Sequence, residues 1–189
     1  MVGPFKYIFS ALVTWILTGF SAFGQLDRLS EYLSLSQMEF DSWYGALKGD
    51  TTDHYYCLLG FAETLTPSAE NTDSLIAGWI KEHPQADVIP VYTYGPVFPS
   101  EPHSLQTYCW LVDGRDTLNI YLVREGALPA LTMRRPETWE EMTEAQRKLH
   151  GRKPIERVHV TDEVFFTFYD KALAAMNEAQ KEQKGIHAD

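Results

Sequence analysis

The spacing of apolar positions changes several times along the chain, and each change marks a candidate element. Tyr7 to Phe20 run for 14 residues without a charge after a short basic start that ends at Lys6. Ser21, Ala22 and Gly24 then supply small residues. This is the layout of a secretory signal peptide cleaved before Gln25, with an apolar run short for a membrane span, and an uncleaved N-terminal anchor is the alternative. Over residues 25–42 Leu, Ser and acidic residues mix without a clean period, which predicts a short helix or an irregular lead-in before a domain at 43–189. Aromatic-rich runs at Trp43–Leu47 and Tyr55–Phe61 flank a Lys48-Gly49-Asp50 turn and predict a β-hairpin.

Residues 64–73 read as a loop. Leu75, Ile76, Trp79 and Ile80 then fall at helical spacing, with a cap among Asn71, Thr72 and Asp73 and a stop at Pro84. Asp87 to Tyr94 predicts a strand in which Pro90, lacking an amide donor, requires an edge or a bulge. The proline-rich segment 95–103 predicts an exposed loop, and Leu105 to Val112 the next strand. Residues 118–126 are ambiguous. Leu118, Ile120 and Leu122 alternate as in a strand, whereas Leu118, Tyr121, Leu122 and Glu125 fit one helix face that Gly126 would cap. Thr138-Trp139-Glu140-Glu141 has the form of a capping box and predicts a helix to about His150. A further helix opens at Thr161 and carries the apolar stripe Phe165, Phe168, Tyr169, Ala172, Met176 and Ala179. Its acids at the start and lysines at the end match the helix dipole.

Charge narrows the functional classes. The 189 residues carry a net charge of −10, and loss of the first 24 leaves 165 residues at −11, because Lys6 is the only charged side chain removed. Such a balance argues against extended phosphate-backbone binding, which draws its affinity from Lys and Arg displacing counterions. Seven cations do gather at Arg134, Arg135, Arg147, Lys148, Arg152, Lys153 and Arg157, but five glutamates accompany them, so a solvated face is expected there. The six histidines are scattered, with no zinc-ligand spacing, and no nucleotide-binding or hydrolase motif occurs. No cofactor is therefore expected. Cys57 and Cys109 lie in separate candidate strands. For an exported chain a disulfide between them and a pair of buried thiols are both open readings.

Three stretches taken together resemble the thermonuclease (staphylococcal-nuclease-like) family. Asn119, Leu122, Val123, Gly126 and Ala127 fall in place on the family's N-x-x-L-V-x-x-G-x-A helix. The terminal helix, ending Gly185-Ile186, resembles the family's closing Ala- and Lys-rich helix, with His187 where a Trp is usual. Leu58-Leu59-Gly60-Phe61 lies like the L-x-G-[IV] of its R-L-x-G-I-D-A-P-E strand. The resemblance covers about residues 43–187, with an apparent insertion at 137–158. It implies an α+β fold, a five-stranded OB-type β-barrel with packed helices and a long C-terminal helix. It also implies calcium-dependent phosphodiester cleavage, in which carboxylates hold the metal and two arginines neutralise the transition state.

The same comparison removes the catalytic set. Cys57 stands where the first arginine belongs, Ala62 at the metal-binding aspartate and Leu65 at the glutamate. Leu105 or Gln106 stands at the second arginine, and no Arg lies between 95 and 114. Gly49-Asp50-Thr51 echoes the family's D-G-D-T and reads equally as a hairpin tip. The expectation is an exported, periplasmic or extracellular protein that is catalytically inactive, without catalytic or metal-binding residues. It would serve as a binding or structural module for an unknown protein or small ligand, with nucleic acid disfavoured and no membrane span after signal cleavage. Trp43, Tyr44, Tyr92 and Tyr94 leave a sugar or peptide ligand open. The alternative is a secreted calcium-dependent nuclease with a non-standard site built on Asp50 or Glu63.

Overall fold

The computed structural model describes residues 32–61, 68–98 and 100–188. The signal-peptide expectation and positions Ala62, Glu63 and Leu65 lie outside the described residues. The fold is α+β: a curled, mixed eight-stranded sheet with helices packed on it, including a long C-terminal helix. The strands are β1 (Leu33–Ser34), β2 (Met38–Asp41), β3 (Tyr44–Leu47), β4 (His54–Leu58), β5 (Asp87–Gly95), β6 (Leu105–Asp113), β7 (Asp116–Thr117) and β8 (Ile155–Val158). The helices are α1 (Thr72–Glu82), α2 (Leu118–Arg124), α3 (Glu144–His150) and α4 (Asp162–Lys181).

The sheet runs β1-β5-β6-β4-β3-β2, with β7 added to β6 and β8 to β5. The β4–β6 pair is parallel and the others are antiparallel. Its two ends are almost continuous in the chain. One 3-10 turn, Leu35–Gln37, separates β1 from β2, and that turn is itself tied to both sides. The Leu35 amide donates to the Ala86 carbonyl at 2.8 Å, and the Lys48 amide donates to the Gln37 carbonyl at 2.9 Å. Residues 33–41 are thus part of the sheet, and Leu35 and Met38 are buried in the core. The expectation of an irregular lead-in fails for this segment because β1 pairs with the remote β5, while β2 pairs with β3 across the Ser42-Trp43 turn.

Pro90 sits in a central strand, and the β5–β6 register shifts between Pro90 and Tyr92, the bulge that a missing amide donor demands. The predicted hairpin forms as β3 and β4 but pairs only at Tyr44–Cys57 and Gly45–Tyr56, and β4 ends at Leu58 rather than Phe61. Gly49-Asp50 is its tip. The Asp50 carboxylate there accepts from the Thr52 amide and hydroxyl, both at 2.8 Å. Those bonds hold its pKa below the usual carboxylate value.

The ambiguous stretch 118–126 is helical through Arg124, with Gly126 just beyond it at φ 66°. Asn119 explains how this helix is anchored. It is fully buried, its Nδ2 donates to the Leu59 carbonyl at 2.7 Å, and its Oδ1 accepts from the Leu111 amide at 3.2 Å. One side chain therefore joins the ends of β4 and β6 to α2. At the other end of α2 the chain meets the terminus of α4. The Ile186 amide donates to the Gly126 carbonyl at 2.8 Å, and a Cβ on either Gly126 or Gly185 (φ 53°) would overlap the backbone of the opposite segment.

The expected helix over 138–150 begins later. Thr138 and Glu141 do exchange capping hydrogen bonds, but Arg135 grips the Glu141 carboxylate with two bonds of 2.7 Å, and the Trp139 amide is taken by Glu156 at 2.9 Å. The chain therefore turns, and α3 starts after a second capping box at Thr143 and Gln146. The insertion continues into β8, which lies along β5. On the long helix α4, Phe165, Phe168, Ala172, Ala175 and Ala179 are buried, and Phe168 stacks on Trp110 of β6 at 4.2 Å.

Candidate functional site

Side chains alternate across a strand, so the pairing register decides which residues share a face. Tyr44 pairs with Cys57, Cys57 with Tyr108, and Tyr108 with Tyr92. These four residues form one row across β3, β4, β6 and β5. A second row, Tyr55–Gln106–Tyr94, lies beside it on the same face. This face is largely aromatic, with Glu156 of β8 beside Tyr94 and accepting from the Tyr92 hydroxyl at 3.0 Å.

Two clefts open on it. The first, of about 490 Å³, is lined by Trp43, Tyr44, Tyr55, Phe61, Tyr94, Val97, Phe98, Gln106 and Tyr108. No charged side chain is among these. The second, of about 610 Å³, shares Tyr94, Val97 and Tyr108 and extends to Glu137, His150 and Arg152, so the two make one elongated groove. Trp43 stacks on Phe61 at 5.0 Å and lies 4.0 Å from Tyr44 on one rim. Phe98, 46% exposed, meets Tyr55 edge-on at 6.3 Å on the other. The loop carrying Phe98 is fixed by Ser104, whose Oγ accepts from the Val97 and Phe98 amides and donates to the Glu101 carbonyl. Gly95 at its base touches the Ser104 carbonyl so closely that a Cβ would not fit.

Gln106 forms the floor. It is 6% exposed, and its carboxamide makes no hydrogen bond to another described residue. Such a group keeps two donors and an acceptor for whatever enters the cleft.

The positions singled out for lost catalysis now have places. Cys57 is fully buried in the middle of the first row, and burial pushes its thiol up to about 12. It stays protonated and is not a nucleophile. Leu105 pairs with His54 at the strand end. Cys109 is also a buried free thiol. It pairs with Leu58, one residue out of step with the Cys57–Tyr108 pair, so the two sulfurs leave opposite faces of the sheet. The candidate disulfide is excluded by that offset, since bridging would require one strand to turn over.

Among the described residues no three His, Cys, Asp or Glu side chains come together, and the Asp50 carboxylate accepts two hydrogen bonds within its own turn. Three cations of the basic cluster have structural partners. Arg135 pairs with Glu141, Lys153 with Glu140, and Arg134 donates to the Tyr169 hydroxyl while lying 5.6 Å from its ring.

The opposite face carries a polar chain. His54 Nε2 is 2.8 Å from the Thr107 hydroxyl, Thr107 is 2.6 Å from the Thr93 hydroxyl, and Thr93 is 2.8 Å from His159 Nε2. Three hydrogen bonds need three protons and the hydroxyls bring two, so one imidazole donates through Nε2 while the other accepts. Burial lowers the His54 pKa, with Asp50 opposing weakly.

Of the aromatic residues named from sequence, Trp43, Tyr44, Tyr92 and Tyr94 do converge. Tyr55, Phe98, Gln106 and Tyr108 complete the groove. Gln106 carried a sequence signal as a substitute for an arginine, whereas Phe98 in its proline-rich loop carried none. No family model and no curated protein matches the chain.

Proposed function

We propose that this chain is an exported, periplasmic or extracellular, thermonuclease-like OB-type module that binds a ligand on its aromatic face and does not cleave nucleic acid. The barrel reading is supported by the path of the sheet. Counting β1 and β2 as one bent strand reduces the six strands on the main path to five, and the chain then passes from one end of the sheet to the other, as in a small Greek-key barrel. The helical state of 118–124 and the meeting of Gly126 with Gly185 join two of the stretches on which the resemblance rests.

The observation that carries the functional reading is the row Tyr44–Cys57–Tyr108–Tyr92. A dianionic phosphoryl transition state needs cations within hydrogen-bonding range, and this row places a neutral thiol among phenols where one arginine is required. Removing a single such electrostatic group commonly costs about 10²–10³ in rate. The test is incubation of the chain from Gln25 with single-stranded DNA and RNA, in calcium and then in chelator. Intact oligonucleotide in both supports the proposal. Calcium-dependent cleavage that survives repurification refutes it in favour of a nuclease with a non-standard site.

A further inference from the structure

We infer that the groove takes a proline-rich peptide segment in the extended polyproline II conformation, an assignment that rests on the binding-module reading above. None of the side chains lining the first cleft is charged, although the chain as a whole is at −10. A phosphate or carboxylate ligand would find no cation there, and an ammonium no anion. The part of a ligand that lies in the first cleft is therefore neutral.

Hydrogen-bonding capacity narrows the choice further. The first cleft offers tyrosyl hydroxyls and the carboxamide of Gln106, a residue 6% exposed whose side chain makes no hydrogen bond to another described residue. A saccharide presents several hydroxyls per ring, each both donor and acceptor, and many would be buried here without partners at a large cost. Proline differs. It has no amide proton, so a proline-rich segment presents mainly carbonyl acceptors. The Gln106 NH₂ and the Tyr44, Tyr55 and Tyr94 hydroxyls are donors for those carbonyls, the Tyr108 hydroxyl being bonded to Tyr94, and the faces of Tyr94, Tyr55 and Phe98 are apolar surfaces for pyrrolidine rings.

Shape agrees. The two clefts share Tyr94, Val97 and Tyr108 and form a groove rather than a compact chamber. Three inter-strand gaps of about 4.8 Å separate Tyr44 from Tyr92, a span of roughly 14 Å. At about 3.1 Å per residue, a polyproline II segment crosses it in four to five residues. Such a segment is already extended before binding, so little ordering cost is added. Aromatic-lined grooves that recognise this conformation are an established mode of peptide recognition. The second cleft adds Glu137, His150 and Arg152 at one end, where a charged residue flanking the prolines would be read.

The test is calorimetric titration of the chain from Gln25 with an acetylated, amidated decaproline. A Gly-Ser decapeptide, chitohexaose and a twelve-residue deoxythymidine oligonucleotide serve as comparators. Saturable binding of decaproline alone is expected. Gln106→Leu, which keeps the volume and removes the donors, should weaken it about three- to tenfold. Phe98→Ala, at an exposed rim position that does not hold the core, should weaken it by a similar factor. Saturable binding of chitohexaose without decaproline overturns the peptide assignment and leaves the binding module standing. Decaproline binding that neither substitution changes also overturns it. Calcium-dependent shortening of the oligonucleotide overturns the module reading itself.

Discussion

Asn119 is the side chain on which the junction of sheet and helix depends, and its replacement gives a sharp prediction. In Asn119→Leu the volume is nearly kept, but the Leu59 carbonyl loses its 2.7 Å donor and the Leu111 amide its 3.2 Å acceptor. The Cys109 carbonyl, a weaker contact at 3.4 Å, retains the Leu59 amide at 2.9 Å. Two buried backbone groups are therefore orphaned. At about 1–3 kcal/mol each, the loss is roughly 2–6 kcal/mol, a large part of a typical stability of about 5–15 kcal/mol. In urea, with a slope of about 2 kcal/mol/M, the midpoint should fall by roughly 1–3 M with the slope unchanged. Asn119→Asp refines the test. Its carboxylate would face carbonyl oxygens, so its folded pKa is raised. The variant should then hold its stability below the unfolded carboxyl pKa of about 3.9 and lose it as pH rises through the folded value. A loss under about 1 kcal/mol for Asn119→Leu, or no pH dependence for Asn119→Asp, would refute the account of Asn119 as the clamp between β4, β6 and α2.

Other consequences follow from equally local features. Gly126→Ala meets both a left-handed φ and the Lys184 carbonyl, and should lower stability by about 2 kcal/mol or more in the same urea assay, whereas Gly114→Ala, with open space around it, should lose only the conformational cost of about 1 kcal/mol. Because the folded pKa of His54 is depressed, its contribution to stability is complete above the unfolded value of about 6.5 and is lost as pH falls through the folded value. The urea midpoint should accordingly drop below neutrality, and His54→Phe should flatten that drop. Nitrogen chemical shifts of His54 and His159 near pH 8 should show opposite protonation at their Nε2 atoms; the same state at both would break the proposed hydrogen-bond chain. Both cysteines should resist a thiol reagent under native conditions and react after unfolding, since burial raises both thiol pKa values and leaves no access.

What could be read in advance depended on whether a feature was local. Pro90 announces its bulge because a missing donor is a property of one residue, and the α4 stripe follows from helical spacing alone. The alternation Tyr92-Thr93-Tyr94 places two phenols on one face without any knowledge of the partner strand. The row through Tyr44, Cys57 and Tyr108 was not legible in that way. It depends on the parallel β4–β6 register, and a shift of one residue would have sent Cys57 to the other face. The same one-residue offset separates the two thiols. Residues 33–35 hid their strand for a related reason, as their partners at 86–88 lie some fifty residues on, whereas β2 forms a hairpin with β3 that the mixed Leu, Ser and acidic composition of 25–42 did not signal. At Thr138 the local signal was sound but incomplete, because Arg135 and Glu156 compete for the groups that would have started the helix there.

The central claim, that the aromatic face is a binding surface, is tested most directly by amide chemical-shift mapping of the isotope-labelled chain during addition of decaproline. The account predicts saturable shifts centred on Tyr44, Tyr55, Tyr94, Phe98 and Gln106, with α1 and the distal part of α4 unmoved. Shifts absent from that face, or centred on α1 and α4, would contradict it.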